Sequence, residues 1–281
     1  MMATIAITVH RERAEAHALA AEAATWLTAR GHEVRLPTDD ATIVGRADLG
    51  VDDGVLADGC DVAISLGGDG TMLRTVDLVA AKCVPVLGVN VGQLGYLTEV
   101  EPTDLFPALE RVLAGTHQIE ERMMLDVHID GGLHTVALNE CVVEKTPTGR
   151  TVRLRLSLDT EFFTTYAADG VIVATPTGST AYSFSARGPI VDPSHQAMVV
   201  TPVSPHMLFD RSMVLGPHAT VRLEVCGHRP ATVSVDGRHL GELTDGQAVE
   251  CTASALPAKL IRFSGNNFHR ILKAKFGLSD R

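Results

Sequence analysis

The sequence predicts two domains of different class: an α/β domain with a doubly wound sheet, then an antiparallel β-sandwich-like domain. Three observations carry this reading. Over residues 1–117, short apolar runs alternate with segments of helical spacing, the pattern of a parallel sheet joined by crossover helices. Over 118–264 the apolar period becomes two, with Asp-Gly pairs between the runs, as in antiparallel strands joined by tight turns. Over 265–281, Phe268, Ile271, Leu272 and Phe276 return to helical spacing. A helix cannot extend a sheet, so this tail is expected to pack back on the first domain.

Composition narrows the function classes. Hydrophobic residues make up 45% of 281, a globular balance with chain enough for two cores. The formal charge, 24 − 34 = −10, argues against a nucleic-acid partner. An acidic chain that handles phosphates must supply positive potential locally, through loops, a few arginines or a bound cation. Cys60, Cys83, Cys141, Cys226 and Cys251 form no CxxC pair and sit mostly in apolar runs, so reduced thiols and a cytoplasmic location are expected. The first apolar run, 5–9, is too short for a signal segment, and no run suits a bilayer, so no membrane partner is expected.

In the first domain, 5–9 reads as a strand. Leu19, Ala23, Trp26, Leu27 and Arg30 follow at helical spacing, with Gly31 placed to end the helix. Val34, Arg35 and Leu36 form a second strand, closed by Pro37. The stretch 39–59, with Asp48, Asp52, Asp53 and Asp58, reads as a flexible connection of solvated charge holding a short helix. A buried strand over 61–66 meets Gly67-Gly68-Asp69-Gly70-Thr71, and a helix runs on to about residue 81 with Thr71 as its cap. A strand over 84–88, and a helix marked by Leu105, Phe106, Leu109, Val112 and Leu113, complete a Rossmann-like unit. In such sheets ligands bind beyond the carboxyl ends of the strands, where Asp69 and Asn90 fall.

In the second domain, Leu125, Val127 and Ile129 alternate with polar residues up to a hairpin signal, Asp130-Gly131-Gly132. Val152, Leu154, Leu156 and Leu158 alternate likewise, as do Val221, Leu223 and Val225. Asp236-Gly237 and Asp245-Gly246 mark two further turns.

Three stretches carry chemistry. The glycines of Gly67-Gly68-Asp69-Gly70-Thr71 let backbone approach a ligand, and the helix start behind them suits a phosphate. Asp69 would repel that phosphate unless it accepts a proton from an attacking hydroxyl or helps hold a cation. The loop also fits an ordinary βα turn with an exposed Asp. The second stretch, Asp169-Gly170 followed by a buried run to Ala174, delivers hydroxyls at Thr175, Thr177, Ser179 and Thr180, and then Tyr182. It suits an anion or sugar cradle with Tyr182 stacking on a base, and equally a Ser/Thr-rich turn. In the third, Asn139-Glu140 pairs an amide and a carboxylate suited to two ribose hydroxyls, or marks a solvated strand end. No Walker A lysine, GxGxxG or HExxH is present, so a P-loop NTPase, a standard dinucleotide fold and a protein-bound zinc find no support. His206 reads as structural.

Taken together, Gly67-Gly68-Asp69-Gly70-Thr71, the run Gly88-Val89-Asn90-Val91-Gly92-Gln93-Leu94-Gly95-Tyr96-Leu97, Asn139-Glu140 and the residues from Asp169 to Tyr182 resemble the NAD kinase family. Ser204-Pro205-His206 and Asp236-Gly237 fall where that family has counterparts, and the likeness runs from about Ile5 to Phe276. The glycine motif is shared with diacylglycerol, sphingoid and, more loosely, phosphofructo-kinases; the Thr-Pro-Thr-Gly-Ser-Thr-Ala-Tyr run is more specific. The resemblance implies transfer of the γ-phosphoryl group of ATP, or of polyphosphate, to the 2′-hydroxyl of the adenosine ribose of NAD. It implies Asp69 as the base, with Gly67, Gly68, Gly70 and Thr71 along the phosphate path. Asn139 and Glu140 would grip adenosine, Asp169 the nicotinamide end, and Thr180, Ala181, Tyr182, Ser185 and Ser204 would complete the NAD cleft. Arg74 and Arg150 match positions that contact substrate in relatives. Magnesium would arrive with the nucleotide, no tightly bound organic cofactor is implied, and a homodimer or homotetramer joined through the β domain is expected. A sphingoid or lipid kinase, or a silent NAD(P)-binding sensor, are the alternatives.

Three positions depart from the family pattern. Ala167 stands where many relatives carry Arg or His, Arg187 where Gly is commoner, and Arg238 where Gln is frequent. Arg187 is expected to replace the charge missing at Ala167, and Arg187→Gly then raises the NAD or ATP KM.

Overall fold

The computed structural model describes residues 2–93, 95–147, 150–263 and 268–278. Leu94 of the second glycine run and Asn267, the expected start of the tail, lie outside the described residues. The chain forms two compact units, one of 1–121 with 258–281, the other of 122–257.

The first unit is built on a seven-stranded sheet in the order Gly50–Val51, Glu33–Pro37, Thr4–Val9, Val62–Gly67, Val86–Asn90, Ala258–Arg262, Gln118–Arg122. The first six strands pair in parallel. Ile7, Ile64, Leu66, Leu87 and Val89 are fully buried under helices Ala14–Thr28 and Leu105–Leu113, which add Ala20, Leu27, Leu105 and Leu109 to one core. Strand order reverses between Thr4–Val9 and Val62–Gly67. That reversal opens a crevice at their carboxyl ends, because the connections leave in opposite directions.

The expected division at 117/118 and 264/265 differs from this grouping, because strand Ala258–Arg262 pairs with Val86 through Leu260 in the first unit's sheet. The acidic stretch forms the short helix expected there, Thr38–Val44, and also an edge strand, Gly50–Val51, that the reading as a flexible connection did not include. The final helix, Phe268–Lys275, belongs to the first unit, with the buried Phe268 ring 6.4 Å from that of Tyr96.

The second unit is a pair of six-stranded antiparallel sheets. Period-two residues of both, including Val127, Leu154, Leu223 and Val249 from one and Val143, Val173, Val200 and Val233 from the other, form a single buried cluster. Among the described residues, no helix is long and apolar enough to cross a membrane.

Candidate active site

Strand Val62–Gly67 ends in the glycine loop, and helix Asp69–Val79 begins at once. Thr71 is therefore not the cap. Gly68 holds that position without a side-chain hydrogen bond, and Thr71 lies buried in the first turn. Gly67 is required locally, since a Cβ there would lie 2.2 Å from Thr71 Oγ1. A Cβ on Gly68 or Gly70 would meet open space, so these two glycines leave the helix start uncovered. Its first backbone N–H groups have no intrahelical acceptors and carry the positive end of the helix dipole.

Asp69 is half-buried and doubly held: the Tyr96 N–H donates to Oδ2 at 2.9 Å and the Leu97 N–H to Oδ1 at 3.0 Å. Gly95 lets this happen, because a Cβ there would lie 2.2 Å from Asp69 Oδ1. The carboxylate is thus fixed beside a pocket of about 510 Å³ lined by Val9 to Arg13, Gly68 to Thr71, and Arg74. The pocket lies at the strand-order reversal.

Arg74, expected to touch substrate, lines this pocket while its guanidinium grips Asp40 through both Nη atoms. Asp40 is wholly buried, which corrects the reading of its stretch as solvated charge. His10, Arg11 and Arg13 also line the pocket, and sequence reasoning missed them. Their place directly after the first strand at the reversal was the available signal.

In the second unit, strand Glu140–Lys145 begins at the expected pair. Asp236, in the left-handed region at φ 47°, accepts the N–H groups of Leu138, Asn139 and Glu140 at 2.7, 2.8 and 3.0 Å. From the other direction the hydroxyl-rich loop supports the same backbone. Thr175 Oγ1 donates to Leu138 O at 2.5 Å, the Thr175 N–H donates to Asn139 O at 2.8 Å, and a Cβ on Gly178 would lie 2.1 Å from Asn139 O. Ser179 Oγ donates to Pro176 O at 2.6 Å and Thr180 Oγ1 to Thr177 O at 3.2 Å. These three hydroxyls build the loop rather than forming an open cradle.

Glu140 is buried, and its Oε2 has no hydrogen-bond partner among the described residues. Burial, then the neighbouring Asp236 carboxylate, push its pKa up to about 8, with the Tyr182 backbone acting the other way. Ala181 and Tyr182 follow the loop, and the half-exposed Tyr182 hydroxyl donates to Glu144 Oε2 at 3.3 Å. Asp169 pairs with Lys145 at 2.8 Å. Arg150, Ser185 and Ser204 are exposed, with Ser204 at φ 45°. Among the described residues, no three His, Cys, Asp or Glu side chains cluster so as to hold a metal ion.

A parallel sheet whose strand-order reversal carries an open helix start, arginines and a fixed carboxylate defines a nucleotide phosphotransferase by fold and site. Comparison with known proteins gives the particular family. Residues 5–117 match the ATP-NAD kinase N-terminal domain and 138–263 the ATP-NAD kinase C-terminal domain. The chain is 40% identical to an NAD kinase of Moorella thermoacetica, over 98% of this chain and 89% of that one. It is 42% identical to one of Heliobacterium modesticaldum, over 98% of both. Among solved structures, yeast NADH kinase complexed with NADH superposes with a TM-score of 0.92 at 25% identity, over 100% of this chain and 89% of that one. An NAD kinase from Archaeoglobus fulgidus in complex with ATP shares the fold, with a TM-score of 0.77 at 24% identity over 99% and 100%. The chain belongs to the NAD kinase family, and the lipid-kinase and sensor alternatives are not favoured by these matches.

Proposed function

We propose that this chain phosphorylates NAD at the adenosine ribose, with ATP or polyphosphate as donor and Asp69 as general base. The ribose 2′-oxygen attacks the γ-phosphorus of ATP, its proton passes to Asp69, and the bond to the β–γ bridging oxygen breaks to release ADP. The observation that carries this reading is the Asp69 carboxylate, held by two backbone N–H groups at the edge of the glycine-loop pocket. Both N–H groups fix its direction and leave each oxygen a further lone pair for the incoming proton.

The open N–H groups after Gly68, with Arg11, Arg13 and Arg74, suit the donor's phosphates. Asp69 and Glu12 are the carboxylates lining that pocket, which fits a magnesium ion held mostly by phosphate oxygens. Such an ion supplies neutralisation of the charge that builds on the phosphates during transfer. Asn139 and the unpartnered Oε2 of Glu140 suit the hydroxyls of the adenosine ribose, which need acceptors. Asp169, Thr180, Ala181, Tyr182, Ser185 and Ser204 complete the NAD site in this reading, with Arg150 a further substrate contact.

We assign the chain to the cytoplasm, in keeping with its five free cysteines. A homo-oligomer joined through the β domain would cover Phe162, Phe163, Leu208 and Phe209, which are exposed there. Light scattering on Phe162→Glu reads this directly: the mass falls to that of one chain if the patch is the interface.

The test of function is NADP formation from NAD, ATP and magnesium, read with an NADP-specific dehydrogenase. NADP is expected. If neither ATP nor polyphosphate yields NADP while NAD still raises Tm, the sensor reading replaces this one.

A further inference from the structure

Three arginines line the glycine-loop pocket, and two of them share one carboxylate. Asp40, in helix Thr38–Val44, has a wholly buried side chain. Its Oδ1 accepts Arg74 Nη1 at 3.0 Å and Arg11 Nε at 3.4 Å. Its Oδ2 accepts Arg74 Nη2 and the Val9 N–H, the latter at 2.9 Å. Arg74 Nη2 also donates to Val9 O at 2.8 Å, which ties the guanidinium to the end of the first strand. A negative charge beside a phosphate pocket opposes binding unless it has a compensating task. Here the task is visible, since both of its arginines line that pocket. The pair Arg11–Asp39 at 3.1 Å is a rim contact, with Asp39 71% exposed, and cannot fix Arg11 by itself. An arginine held in place spends less side-chain entropy when an anion arrives.

We propose that Asp40 is a positioning residue for the phosphoryl donor, holding Arg74 and Arg11 on the pocket wall where a phosphoanhydride chain binds. This rests on the reading of the glycine-loop pocket as the donor site. The ligand chemistry is the anionic chain itself, whether the tail of a nucleoside triphosphate or inorganic polyphosphate. Asp40 touches neither donor nor acceptor; it acts through the two arginines. The rival account makes it only a buried ion pair that joins helix Thr38–Val44 to helix Asp69–Val79.

Steady-state kinetics of the full chain separate the two. Asp40→Asn keeps the shape but loses the charge, and should raise the donor KM on the order of tenfold to a hundredfold while NAD KM stays within about twofold. Arg11→Gln, at a half-exposed side chain, should raise donor KM in the same direction and keeps the test alive if Asp40→Asn does not fold. A lower Tm for Asp40→Asn with donor KM unchanged in both variants would overturn the proposal. Gly70→Leu, which projects a side chain into the pocket, reports on the pocket itself. If Gly70→Leu raises donor KM and the other two do not, only the positioning role fails. If Gly70→Leu leaves donor KM unchanged, the pocket is not the donor site and both readings fall. Running each variant with ATP and with linear polyphosphate shows which source of the chain the wild type uses, and the KM rise should appear with that donor.

Discussion

The two chemistry-bearing regions treat their carboxylates in opposite ways. In the α/β unit, each oxygen of Asp69 accepts one backbone N–H and Asp40 takes two guanidiniums and the Val9 N–H, so both are held by the protein's own donors. In the β unit, Asp236 takes three N–H groups while Glu140 beside it keeps a buried oxygen with no partner among the described residues. The difference follows the chemistry each region has to meet. A phosphate chain is an acceptor and needs fixed donors and cations, whereas a ribose brings its own hydroxyl donors and needs an open acceptor. A region that waits for a ligand's donors is left unsatisfied, and a region that waits for an anion is built in advance.

That comparison breaks most sharply at Gly95. An added Cβ would meet the movable end of Asp69 rather than backbone, 2.2 Å from Oδ1, so Gly95→Ala should displace the base and spare the fold. We expect kcat to fall on the order of a hundredfold with NAD KM and Tm nearly unchanged, as loss of general-base geometry predicts. An unaltered kcat would mean that the position of Asp69 is not under that constraint.

Glu140 sharpens the other side. With its pKa at about 8 against an ordinary 4.5, the free protein binds a proton there that the unfolded chain releases. The stabilisation from that proton is complete below about 4.5 and lost as pH rises through about 8. Ribose hydroxyls favour the ionised form, so NAD binding should expel the proton, and NAD KM should fall as pH rises toward 8, by up to about tenfold per unit. Glu140→Gln should flatten that profile. Calorimetry in buffers of different ionisation enthalpy counts the proton directly.

The smallest effect belongs to Arg187. It sits at φ 68°, exposed, in a conformation that favours glycine. Arg187→Gly should therefore gain about 1 kcal/mol and raise Tm by a few degrees. Unchanged NAD and ATP KM alongside that gain would remove the idea that Arg187 replaces the charge missing at Ala167.

Much of the fold was legible because periodicity is local: the period-two runs around Leu125, Val152 and Val221, and the helix marked by Leu105, Leu109 and Val112, stand where the spacing puts them. What escaped is set by partners far along the chain. Nothing in Ala258–Arg262 says that this strand joins Val86 rather than the β sheets that precede it. Asp40 reads as one more solvated acid until Arg74, 34 positions later, reaches it. Asp236 reads as a turn residue, yet its carboxylate organises backbone 96 to 98 positions earlier. Within the candidate site, the glycine loop and Asn139-Glu140 were visible as motifs. Gly95, Tyr96 and Leu97 stood in a run that carried the resemblance, but their hold on Asp69 was not visible, since a glycine kept for a side chain 26 positions away leaves no local mark of that contact. Thr71 misled because a threonine after glycines resembles a cap, whereas the helix starts two residues earlier, at Asp69.

The most direct measurement compares wild type with Asp69→Asn, reading NADP turnover and, separately, NAD affinity by calorimetry. Asp69→Asn keeps an acceptor of the same shape but cannot take the 2′-hydroxyl proton. Turnover should fall on the order of a thousandfold or more, with NAD affinity within a few-fold of wild type. Retained turnover would contradict Asp69 as the base and, with it, this account of the site.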